Sequence, residues 1–106
     1  MTALAALAGA IAIQPRAGAA DPTVRRVEIE KFAFVPARLE LRPGDVVEWV
    51  NMDIAPHTAT ARDGTWDTEG LVDGQSAAIT FRTPGTFPYV CAYHPNMRGE
   101  VAVIGD

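Results

Sequence analysis

The 106-residue chain is short of the side chains that disulfide scaffolds and zinc frameworks need: it has one Cys and two His. One Cys excludes an internal disulfide, and so small an inventory excludes a multi-Cys zinc site. No run reaches the roughly 18 consecutive apolar residues of a membrane-spanning helix. Basic residues are also scarce. The 9 Lys and Arg stand against 13 Asp and Glu, for a net charge of −4. A chain without a basic face is not expected to bind nucleic acid. Runs of helical period are missing beyond the first residues. What remains, 48% hydrophobic and 21% charged, is the composition of one globular domain rather than a disordered chain.

Residues 1–20, MTALAALAGAIAIQPRAGAA, contain no acidic residue and a single basic one, Arg16. Leu4 to Ile13 is a short apolar stretch, and Pro15 would break a helix there. Ala17-Gly18-Ala19-Ala20 then offers the small side chains that a signal peptidase reads. The segment resembles a secretory signal cleaved after Ala19 or Ala20, although Met1-Thr2-Ala3 lacks the usual basic opening. The competing reading is an apolar helix packed on the domain. The expected organisation is a signal peptide over 1–20 and one domain over 21–106, periplasmic or otherwise exported. Such a domain buries only about 60–65% of the surface its unfolded chain exposes, so a bound metal would help to hold it folded. Export also makes a free thiol a liability unless it is buried or ligated.

Beyond residue 20 the chain reads as β. Val24 to Glu30 is rich in β-branched residues, with Val27 and Ile29 on one face. Phe32 and Phe34 extend that alternation, and Pro36 ends it or marks an edge. Arg38 to Arg42 alternates strictly, with Leu39 and Leu41 inward. After the turn signal Pro43-Gly44-Asp45, Val46 to Val50 is a strand with either Val47 and Trp49 or Val46 and Val50 inward. Ala77–Arg82, Phe87–Cys91 and Gly99–Ile104 complete the set. Ala61 to Gln75 is too polar and Gly-rich for a regular element and reads as a loop between sheets. Turn signals every 8–12 residues or so indicate a sandwich or barrel. Trp49, Trp66, Phe34 and Phe81 read as core aromatics, and Asp63, Asp67, Glu69 and Asp73 as a solvated loop face.

The chemistry sits in Cys91-Ala92-Tyr93-His94-Pro95-Asn96-Met97, where Cys, His and Met recur every third residue. The other His lies upstream, in Ala55-Pro56-His57-Thr58. Two imidazoles, one thiolate and a weak axial thioether are the ligand set of a mononuclear blue-copper site. Thiolate and thioether suit Cu(I), and imidazole binds Cu(II) as well. A site acceptable to both states rearranges little when an electron moves, which keeps the barrier low. The bland alternatives are a buried core thiol for Cys91, a satisfied loop His for His57 or His94, and simple core packing for Met97. A c-type haem would need C-x-x-C-H, which is absent. No Ser/His/Asp or Cys/His nucleophile system is credible with both His committed.

The stretches FAFVPARLELRPGDVVEWVNMD, APHTAT and GTFPYVCAYHPNMRGEVAVI resemble a small cupredoxin of the plastocyanin/azurin superfamily. The short ligand loop, with two residues between Cys91 and His94 and two between His94 and Met97, is amicyanin-like. The resemblance spans Val24 to Ile104. It implies an all-β, Greek-key sandwich and a one-electron carrier, with His57, Cys91 and His94 as equatorial copper ligands and Met97 as the axial one. Thr58 stands where many relatives have Asn, and its hydroxyl is expected to tie the two ligand segments together. Tyr93 stands where amicyanin and plastocyanin have Pro. Its N–H is expected to point at the Cys91 sulfur, which would favour Cu(I) and raise the potential.

His94, on the loop, is the expected edge for electron exchange, with Pro56, Pro95 and Met97 as an apolar collar for transient docking of larger redox proteins. Four protein ligands leave no open copper position, so the protein is expected to be a monomeric carrier and not an enzyme. The alternative function is a copper-delivery protein that exchanges Cu(I) without electron transfer. Its sites would be richer in Met than a mature chain holding only Met52 and Met97.

Overall fold

The computed structural model of the chain describes residues 21–105, so the leader assigned to residues 1–20 lies outside the described part. Strand β1 (Val24–Glu30) buries Val27 and Ile29, as its alternation requires. It turns into β2 (Ala33–Val35), with Glu30 opposite Ala33. Here the structure departs from the sequence reading. Phe32 does not continue the strand: Lys31 and Phe32 form a two-residue turn with φ of 52° and 58°. Such turns favour Asn-Gly, and a side chain held in the left-handed region costs about 1–3 kcal/mol. Phe34, back on the strand, is buried.

The chain then crosses to a second sheet. Strand β3 (Arg38–Leu41) turns Leu39 and Leu41 inward. Strand β4 (Asp45–Asn51) returns to the first sheet and runs parallel to β1, with Val27 opposite Trp49. Val47 and Trp49 are its fully buried pair, and Val50 is largely covered too. Gly44 takes a φ of 98° to make the turn into β4. The Asp45 carboxylate locks that corner by accepting the N–H groups of Thr23 at 2.9 Å and Arg42 at 3.0 Å.

The remaining strands are β5 (Thr60–Ala61), β6 (Ser76–Phe81), β7 (Gly85–Val90) and β8 (Arg98–Val103). The two four-stranded sheets run β2-β1-β4-β6 and β3-β8-β7-β5. The parallel β1–β4 and β3–β8 pairs, with antiparallel neighbours, come from the chain switching sheets, as in a Greek-key sandwich. The segment read as a loop, Ala61 to Gln75, opens on the last residue of the short β5 and supplies Leu71 and Asp67 to two isolated bridges, with His57 and Thr60 respectively.

Between the sheets, Trp49 stacks on Trp66 at 5.2 Å and meets Tyr89 edge-on at 5.4 Å. Burial pushes the Tyr89 phenol up to about 12. Gly99 lies opposite Tyr89 on β8, and a side chain there would run into the Tyr89 ring. No described helix is long and apolar enough to cross a membrane.

Candidate metal centre

The end of β7 delivers Cys91 into a loop that folds back on itself. His94 N–H donates to the Cys91 carbonyl at 3.2 Å, and Met97 N–H to the His94 carbonyl at 2.8 Å. Cys91 N–H in turn donates to the Met97 carbonyl at 3.1 Å, immediately before β8 begins. The three-residue spacing thus becomes a closed knot of backbone hydrogen bonds, with little freedom to rearrange. Cys91 is a fully buried free thiol and Met97 is buried in the same apolar cluster. His94 is half-buried.

His57 comes from the segment between β4 and β5. It exchanges both backbone hydrogen bonds with Leu71, at 3.0 and 2.8 Å, and is fully buried. Its Nδ1 lies 3.7 Å from the Cys91 sulfur. Thr58 fastens the two segments. Its N–H donates to Cys91 Sγ at 3.4 Å, and its Oγ1 accepts Ala92 N–H at 2.7 Å. The hydroxyl bridge is the one expected of a Thr at this position.

The matching chain segment is larger than the loop. Residues 2–103 match the cupredoxin-like domain family. The chain belongs to that family. It is 34% identical over 82 residues to amicyanin-alpha of Methylorubrum extorquens, covering 73% of this chain and 69% of that protein. Amicyanin of Paracoccus versutus is also 34% identical, with 73% of this chain and 62% of the relative covered, so the match spans about two thirds of these curated relatives. The crystal structure of Paracoccus versutus amicyanin superimposes with a TM-score of 0.67 at 35% identity, covering 88% of this chain and 87% of that one. A copper-containing nitrite reductase from Thermus scotoductus reaches 0.75 at 30% identity, over 92% of this chain but only 26% of the reductase. Amicyanin-like cupredoxins are electron carriers that bind a single copper ion.

The donors of this cupredoxin suit that ion chemically: a buried thiol not in a disulfide, a buried imidazole facing it, and a buried thioether. The structure sets His57 against Cys91, and the His94 ring centroid lies 5.3 Å from that of His57. Among the described residues, however, no three His, Cys, Asp or Glu side chains are gathered closely enough to hold a metal. His57 and Cys91 face each other in the buried interior, and His94 is half-buried beside them. Pro56 and Pro95 flank it, exposed.

Tyr93 departs from expectation. Among the described residues the backbone N–H donating to Cys91 Sγ is that of Thr58, and Tyr93 N–H makes no such bond. The loop closes instead through its backbone, where His94 N–H donates to the Cys91 carbonyl. The Tyr93 side chain reaches Gly70, where an added Cβ would come within 2.6 Å of the Tyr93 hydroxyl.

Two participants escaped the sequence reading. Asp53 Oδ2 lies 2.8 Å from His57 Nε2. Phe32 lies edge-on to both imidazoles, with centroids 5.0 Å from His57 and 4.9 Å from His94. Burial pushes the Asp53 carboxyl up, but the N–H groups of Phe32 and Lys31 and the His57 ring outweigh it, and the net shift is downward. The signal for Asp53 was present, as a carboxylate four residues before a proposed ligand His. For Phe32 there was none, because its strand alternation pointed elsewhere.

Proposed function

We propose that the chain is an exported blue-copper protein that carries single electrons between larger redox proteins by cycling between Cu(II) and Cu(I). His57, Cys91 and His94 are the side chains that would hold the copper, with the Met97 thioether as a further, weaker donor. Residues 1–20 are the cleaved leader and residues 21–106 the working domain, a monomer. The observation that carries this reading is the His57 Nδ1 to Cys91 Sγ approach of 3.7 Å inside a fully buried setting, fastened by Thr58.

When bound, copper supplies the one-electron couple. The chain's own contribution is constraint. Cys91 offers a thiolate once its proton leaves, and Thr58 N–H is placed to donate to that sulfur. The knotted Cys91–Met97 backbone and the His57–Leu71 pairing limit how far the donors move when charge changes. Burial excludes water from Cys91 and His57. The half-buried His94 is the route outward, and Phe32, 52% exposed beside it, joins Pro56 and Pro95 in an apolar docking face.

Titration of purified metal-free protein with Cu(II) tests the reading. The expected result is a one-to-one deep blue complex that bleaches on reduction and recolours on oxidation. A colourless Cu(I) complex that passes its ion to another protein would establish delivery instead.

A further inference from the structure

Asp53 is far more constrained than a loop carboxylate needs to be. Its Oδ1 accepts Lys31 N–H at 2.7 Å, and its Oδ2 accepts Phe32 N–H at 2.9 Å and faces His57 Nε2 at 2.8 Å. Its own N–H donates to Asn51 Oδ1 at 2.8 Å. Asn51 is itself fully buried, and its Nδ2 donates to the carbonyls of Ala55 at 2.9 Å and Leu71 at 2.8 Å. Leu71 pairs with the His57 backbone. One residue therefore joins three places: its carboxylate holds the β1–β2 turn and the imidazole, and its backbone N–H the Asn51 side chain at the end of β4.

An ionised carboxylate only accepts hydrogen bonds. The proton between Asp53 and His57 then sits on Nε2, and Nδ1 keeps the lone pair that faces Cys91 Sγ at 3.7 Å. We propose that Asp53 is a positioning residue for the metal centre, fixing His57 in the Nε2–H tautomer and, through its charge, favouring oxidised over reduced copper. This rests on the ligand set proposed above. A carboxylate on the outer nitrogen makes the imidazole a stronger donor, and its negative charge stabilises the more positive ion more. The same carboxylate accounts for the unusual turn. It accepts both N–H groups of Lys31 and Phe32, whose φ values of 52° and 58° are costly for non-Gly residues. The Phe32 ring then rests edge-on against both imidazoles.

The test compares wild type, Asp53→Asn, Lys31→Gly and the double variant. Asn keeps the size and removes the charge. Gly relaxes the left-handed turn, so a carboxylate that merely held the turn would lose its influence in that background. Three quantities are read: the copper reduction potential, the Cu(II) and Cu(I) affinities by competition, and the His57 imidazole nitrogen shifts in metal-free protein. The expected wild-type tautomer is Nε2–H. Asp53→Asn is expected to weaken Cu(II) relative to Cu(I) by about tenfold, a potential rise of about 59 mV for one electron, in both backgrounds. An Nδ1–H tautomer in wild type overturns the proposal, and that measurement stands even if Asp53→Asn does not fold. So does an unchanged or lowered potential, or a rise that disappears in the Lys31→Gly background. A wild type that takes up no copper overturns the ligand set itself. A blue wild type with an unmoved variant potential overturns only the role of Asp53.

Discussion

The two imidazoles of the site sit in opposite circumstances. His57 is fully buried, paired to Leu71 through its backbone and to Asp53 through its ring. His94 is half-buried on a loop of a few residues, with exposed Pro95 beside it and the Phe32 ring against it. Under the proposed function the same side chain does two jobs. Where every neighbour restrains the ring, it can hold a metal in place. Where one edge reaches solvent, it can pass an electron outward. The fold creates this difference by drawing one His from the buried connection between β4 and β5 and the other from the loop between β7 and β8.

The sharpest way to break the comparison is to remove each ring in turn and offer it back. In His94→Gly, millimolar imidazole is expected to enter from solvent and restore most of the blue absorption. In His57→Gly the vacancy lies inside the protein, and added imidazole is expected to restore little. Equal rescue of both would dissolve the distinction.

A smaller effect sets the background, away from both rings. Asp45 lies at the opposite end of β4 from Asn51, about 20 Å along the strand. The Arg42 and Thr23 N–H groups hold its carboxyl below the usual value. With the folded value depressed, its contribution is complete above the unfolded value of about 3.9 and is lost as pH falls through the folded one. Asp45→Asn is expected to cost about 2 kcal/mol at pH 7 in metal-free protein. The gap from wild type should close in acid denaturation below pH 4 or so, with the potential of the copper form unchanged. A potential that moved would mean the two ends of the sandwich are coupled.

The smallest effect concerns the tie between the two His-bearing segments. Thr58→Val leaves Ala92 N–H without its hydroxyl partner. Calorimetry of metal-free protein should show a loss of about 1 kcal/mol, a Tm lower by about 4–8 °C. No change would mean that the backbone pairings alone hold the segments in register.

Much of this architecture was legible from residue pattern. Val27, Ile29, Leu39 and Leu41 alternate so plainly that their inward faces follow from period two, and Pro43-Gly44-Asp45 announces its turn. The spacing of Cys91, His94 and Met97 pointed to one loop because each interval closes a backbone turn. What pattern could not show was anything depending on a contact across the fold. Lys31-Phe32 lacks the Gly or Asn that marks a left-handed turn, and the distant Asp53 carboxylate accepts both of its N–H groups. Whether Val46 or Val47 faced inward depended on which partner strand β4 found. That Thr58 rather than Tyr93 supplies the N–H to the Cys91 sulfur was equally out of reach, because Thr58 lies 33 residues away in sequence.

Cys91 is the proposed thiolate of a redox-active copper site. Visible absorption and voltammetry of copper-loaded wild type and Cys91→Ser test it most directly. The serine variant is expected to lose the blue band and the reversible one-electron wave while its β-sheet circular dichroism persists. A variant that kept both the colour and the wave would contradict that assignment.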